Sequence, residues 1–192
     1  MGNTNARNKR DRNRGELRQE KPTPKKKAAL VQISDLHFGS ALGLLPLAWR
    51  TVDENLVMAN ELQQQLYAAW GMFNIWLGDL SMTHDITIVV NGDIIEGNHH
   101  GGKQMSLPEI GDQVNVAVDT LADVLHGVAT AVYIVEGTEC HTSNHENVIG
   151  KMLLQKGIPV VEAAGRKYVH KFARFEWAGK WCNFAHHAPT SS

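Results

Sequence analysis

The chain has 192 residues, 43% of them hydrophobic, and a formal net charge of −1. That length accommodates one domain with a proper core rather than two, and no apolar run approaches the ~18 residues that a membrane-spanning helix needs. Cys140 and Cys182 are too few and too irregular for a disulfide framework or a paired-cysteine zinc site, and no hydrophobic leader follows the basic N-terminus, so a cytoplasmic protein is expected.

The near-neutral total conceals two unlike regions. Residues 1–27 carry ten Lys or Arg against Asp11, Glu16 and Glu20, whereas the remainder carries 9 basic and 17 acidic residues. A polar segment without aromatic residues and with Pro22 and Pro24 cannot bury enough surface to fold, so 1–27 reads as a disordered basic arm. Such an arm attracts nucleic acid by releasing counterions, or serves only as a solubilising tail. It lacks the aromatic residues on which bases stack.

The folded part, 28–192, begins with a strand over Ala28–Ile33. A loop rich in Gly, Leu and Pro follows over 38–47, then a long helix from about Val52 to Leu77. In that helix Leu62, Leu66, Trp70, Phe73 and Leu77 recur at spacings of three and four, and Met58 and Trp76 are also assigned to the core. The continuous β-branched run Ile86–Val90 predicts a strand buried on both faces. A second helix spans Ile110 to Gly127, with Val114, Val118, Leu121 and Leu125 on its inner side. A strand over Ala131–Val135 and a helix from His145 to Lys156 follow. Val160-Val161 and the stretch Tyr168–Phe184, broken at Ala178-Gly179, read as strands with a hairpin turn. Strands alternating with helices indicate an α/β domain.

Metal-ligating residues recur where these strands end. Asp35-Leu36-His37 follows the first, Gly92-Asp93 the second, Gly137-Thr138-Glu139-Cys140-His141 the third, and His186-His187 the last. In α/β sheets ligands gather outside the carboxyl ends of strands, so four such deliveries point to one polynuclear metal site.

This order resembles the calcineurin-like metallophosphoesterases, whose ligands come from D-x-H, G-D, G-N-H, a lone His and a final G-H-x-H. The resemblance covers roughly residues 28–188 and implies a four-layer αββα sandwich. It also implies a hydrolase of phosphoester bonds that uses two divalent ions, manganese favoured over iron or zinc, to generate a bridging hydroxide. By that correspondence Asp35 and His37 would hold the first ion, Asp93 would bridge both, and His186, with His187 as its rival, would hold the second.

The third block departs from Gly-Asn-His. Either His141 supplies the catalytic imidazole, in a variant block resembling that of phage-type members, or Asn144-His145 supplies a shifted pair with Asn144 as a metal ligand. Asn144 also suits a helix N-cap. Gly97-Asn98-His99-His100 imitates the missing block but lies only four residues beyond Asp93. The family's last block does not follow His186, which implies a domain incomplete at its C-terminus. The substrate would be a phosphoester, with nucleic acid one candidate through the basic arm, no membrane partner, and the host cytoplasm as location if the chain is phage-encoded. The competing expectation is a non-catalytic nucleic-acid-binding scaffold that has kept the fold and one metal. A nucleotide-binding module is disfavoured, since neither G-x-G-x-x-G nor a P-loop occurs.

Overall fold

The continuous apolar runs form strands and the amphipathic stretches form helices. The computed structural model describes residues 26–98, 104–142, 145–165 and 167–186. In chain order these give β1 (Lys27–Ile33), β2 (Ala48–Arg50), β3 (Leu56–Met58), α1 (Glu61–Ser81), β4 (His84–Asn91) and α2 (Ile110–Leu125). Then come β5 (Ala129–Val135), the single turn α3 (Glu139–Thr142), α4 (His145–Gln155), β6 (Ala173–Trp177) and β7 (Lys180–Phe184).

β1, β4 and β5 make a parallel sheet with β4 in the middle. The crossovers run through α1 and α2, so the sheet's carboxyl ends all open on the same side. Side-chain alternation divides the three strands between two cores. Ile86, Ile88, Val90, Val132 and Ile134 face Trp70, Leu77, Val118, Leu121, Leu125, Ile149 and Leu153 of the helices. Val89 and Val135 face the other way, against Ala173, Phe175 and Phe184 of the antiparallel β6–β7 hairpin. Tyr133 stacks on Phe175 at 4.2 Å between ring centroids, and Phe175 on Phe184 at 5.7 Å. The sheet is therefore covered by helices on one face and by a hairpin on the other, and the class is mixed α/β.

Several expectations need correction. The first helix begins at Glu61, not Val52, because residues 48–58 form the β2–β3 hairpin instead. Asn60 then caps α1 through a reciprocal pair: its side chain accepts from Gln63 N–H, and the Gln63 side chain accepts from Asn60 N–H. Trp70 and Leu77 are buried as the spacing predicts, but Met58 and Trp76 are exposed. Val160 makes only an isolated bridge to Val132, and the last hairpin starts at Ala173 rather than Tyr168. Lys27 already pairs with His84 and so belongs to β1. The rest of the proposed arm, residues 1–25, lies outside the described residues.

Candidate metal centre

The loops leaving β1 and β4 run side by side, and their backbones are zipped together. Asp35 N–H donates to Gly92 O at 3.3 Å, His37 N–H to Asp93 O at 3.0 Å and Phe38 N–H to Ile94 O at 2.9 Å. This continues the parallel pairing past the sheet and sets Asp35 and His37 beside Asp93. All three have left-handed backbones, with φ of 56°, 47° and 49°. A non-glycine residue there costs on the order of 1–3 kcal/mol, and such strain gathers at functional sites. Between Asp35 and His37, Leu36 turns inward and packs on the core.

Two glycines make the approach possible. A Cβ on Gly92, which has φ +77°, would lie 2.5 Å from the His186 ring and 2.8 Å from Gly137 Cα. A Cβ on Gly43 would lie 2.0 Å from the His37 carbonyl oxygen. Two fully buried glutamines hold the surrounding loops. Gln113 on α2 accepts from Gly97 N–H and donates to Gly97 O and Leu107 O, while Gln63 donates to Ser40 O.

Asp93 is 4% exposed and sits at the middle of the cluster. Its Oδ1 accepts from Thr138 N–H at 2.7 Å and from the Thr138 hydroxyl at 2.9 Å. Burial alone would push its carboxyl up. The two Thr138 bonds, with the imidazoles of His186 and His141, outweigh that and hold it below the usual carboxylate range.

His186 comes from just past β7. Its Nδ1 lies 2.8 Å from Asn91 O, a carbonyl that only accepts, so Nδ1 carries the proton and the lone pair of neutral His186 is on Nε2. That Nε2 lies 3.1 Å from Asp93 Oδ2. Two lone pairs facing each other at this distance repel, so either a proton or a cation must lie between them. Two donors each ~2.1 Å from one ion and at right angles to it are ~3.0 Å apart. The spacing therefore fits joint ligation, and the tautomer lock is the one that metal-bound histidines show. Asp35 Oδ1 lies 4.0 Å from both His186 Nε2 and His37 Nε2. The ligand atoms of Asp35, His37 and Asp93 lie within 4.8 Å of one another. The donor set of imidazole and carboxylate suits a divalent ion.

Glu146 and Glu96 carry roles that sequence reasoning missed. Glu146, on α4, is 1% exposed and accepts from Gly137 N–H at 2.9 Å and Ile94 N–H at 3.5 Å, joining the loops after β4 and β5. Burial pushes its carboxyl up to about 7, with the Asp93 charge adding to the rise and the two N–H groups and His186 opposing it. Glu96 lies 3.0 Å from His37 Nδ1 through Oε2, and its backbone oxygen lies 2.6 Å from His141 Nδ1. A spacing of three from Asp93 was the only trace of Glu96 in the sequence, and Glu146 resembled an ordinary first-turn helix acid.

The structure thus brings Asp35, His37, Asp93 and His186 together, with His141 stacked edge-on against His37 at 4.8 Å between ring centroids. Asn144, His187, His99 and His100 lie outside the described residues. Asn98 lies inside them and is exposed. Thr138 stands beside Asp93, where the resemblance would place an asparagine. Among the described residues no helix is long and apolar enough to cross a membrane. A scan against models of protein families finds no match, and a search of curated proteins finds no similar one.

Proposed function

We propose that the chain is a metal-dependent hydrolase of phosphoester bonds, built as a four-layer αββα sandwich around a dinuclear centre of the metallophosphoesterase kind. The observation that carries the reading is Asp93, a buried carboxylate clustered with Asp35 and His37 and 3.1 Å from His186 Nε2. Two divalent ions, manganese favoured, would supply an activated water at neutral pH and a clamp on the phosphoryl oxygens. Asp35, His37, Asp93 and His186 would hold them, with Asn144 as a further candidate ligand. Thr138 fixes the Asp93 carboxylate through two bonds to Oδ1 and a third, at 3.2 Å, from its hydroxyl to Oδ2, the oxygen that faces His186 Nε2. His141, whose Nδ1 proton is held by Glu96 O, presents Nε2 as the group that assists the leaving oxygen.

The test is manganese-dependent hydrolysis of bis-p-nitrophenyl phosphate and p-nitrophenyl phosphate by the full chain and by Asp93→Ala. Hydrolysis that falls at least about 100-fold in the variant is expected, since removing a required ligand or charge stabiliser costs on the order of 10²–10³. Equal rates in both proteins would overturn it. Bound metal without hydrolysis would favour the second reading, a nucleic-acid-binding scaffold, for which the substitution of Thr138 at the third block is the supporting observation.

A further inference from the structure

The His37 ring stands between two sets of donors. Its Nε2 faces Asp35, whereas its Nδ1 faces Glu96 Oε2 at 3.0 Å. Nδ1 is buried and, despite that short distance, makes no hydrogen bond. The contact lies at ion-pair distance but lacks hydrogen-bond geometry. It is short of the ~3.4 Å edge between two ligands of one tetrahedral ion, each ~2.1 Å from it, and close to the ~3.0 Å edge of a right-angled pair. Off-axis approach is what such ligation produces, because both lone pairs then converge on the ion rather than on each other.

His141 completes the set. Its Nδ1 is tied to Glu96 O at 2.6 Å, so the neutral ring carries its lone pair on Nε2. The ligand atoms of His37, Glu96 and His141 lie within 4.8 Å of one another, and all three side chains are half-buried. Glu96 therefore acts twice, offering a carboxylate oxygen and locking the tautomer of a neighbouring imidazole.

We infer that His37 Nδ1, Glu96 and His141 form a second cation site, sharing the His37 ring with the Asp93 centre, for a divalent ion of the Zn2+ class. Two imidazoles and one carboxylate are a donor set characteristic of zinc sites that keep an open position, and softer than the carboxylate-rich Asp35–Asp93 side. Neutral His37 has one lone pair, so it serves one ion at a time. An ion at Glu96 leaves the His37 proton on Nε2, facing Asp35. The two positions compete for His37, an ion at Glu96 also takes the His141 Nε2 lone pair away from the leaving oxygen, and the identity of the ion sets which position wins.

The inference goes beyond the proposed hydrolysis and is tested by binding alone. Zn2+ titration calorimetry on the full-length chain would be run with Asp93→Asn, and with Asp93→Asn combined with Glu96→Gln. The single variant is expected to keep one Zn2+ per chain, and the double variant to bind it at least tenfold more weakly. A single variant that binds no Zn2+, or a double variant that binds as well as the single, overturns the site. Since substitution at buried Asp93 can unfold the chain, 15N spectra of the histidine rings in the unaltered protein supply the second measurement. Zn2+ is expected to shift His141 Nε2 and His37 Nδ1. A shift confined to His186 and His37 Nε2 overturns the site and leaves the hydrolase reading standing, whereas loss of hydrolysis in Asp93→Ala bears on that reading alone.

Discussion

Gly92 shows how a residue without a side chain shapes a candidate metal centre. Its motif partner Asp93 offers the carboxylate, but the glycine decides whether His186 reaches it. A methyl group there would meet the imidazole at 2.5 Å, with φ at +77° adding backbone strain. Gly92→Ala is expected to destabilise the metal-free protein by about 3 kcal/mol, from a left-handed alanine together with overpacking. Urea unfolding measures the loss, and Mn2+ affinity should fall with it as His186 is displaced. Unchanged stability would mean that His186 does not sit against the β4 loop. The same residue scale explains what the sequence could not reveal. Asp35, His37 and Asp93 announce themselves by type and spacing, whereas Glu96 and Glu146 look like any loop and helix carboxylates. Only burial and partners distinguish them.

At the scale of elements, the misplaced start of α1 has a clear cause. Val52 to Met58 is apolar enough to continue a helical stripe, yet the Asn60 capping box stops the helix and lets the chain before it pair as β2–β3. The cap is also structural glue, since Asn60 donates to Ala41 O in the loop beyond His37. Asn60→Ala is expected to cost about 1 kcal/mol, the usual value of an N-cap, and to loosen the 38–47 loop. Thermal unfolding checks the first effect and amide hydrogen exchange at Ala41–Leu45 the second. A variant with native stability and native exchange would refute both. By contrast β1, β4, β5, α2 and α4 were legible within a residue or two, because each is a local pattern: unbroken β-branched runs, or apolar spacing closed by Gly127 and Gly157.

Across the whole molecule, buried carboxylates couple stability to pH. Glu146 holds its proton more tightly folded than unfolded, its carboxyl rising from an ordinary 4.5 to about 7. Its contribution is fully present below pH 4.5 and is lost as pH rises through about 7, a change on the order of 3 kcal/mol. Asp93 acts in the opposite direction: its carboxyl is held low, so its contribution is present above pH 3.8 and lost as pH falls further. The metal-free protein should therefore be most stable in mildly acid solution and weaken towards neutrality. Glu146→Gln should flatten that decline, as read from urea midpoints between pH 4.5 and 7.5. An identical slope in the variant would assign the dependence to another group.

The sequence by itself determined the strand and helix alternation, the two-sided burial of β4 and the placement of Asp35, His37, Asp93 and His186 at strand ends. All of these are local, because hydrophobic period and ligand type are written in neighbouring residues. Tertiary structure alone decided which imidazole nitrogen faces which carboxylate, and that His186 crosses from the β6–β7 hairpin to Asn91 and Asp93. It alone brought Thr138, Glu96 and Glu146 into the cluster and left Met58 and Trp76 outside the core. Those outcomes depend on contacts between residues tens of positions apart, which form only when the parallel sheet brings its loops to one edge.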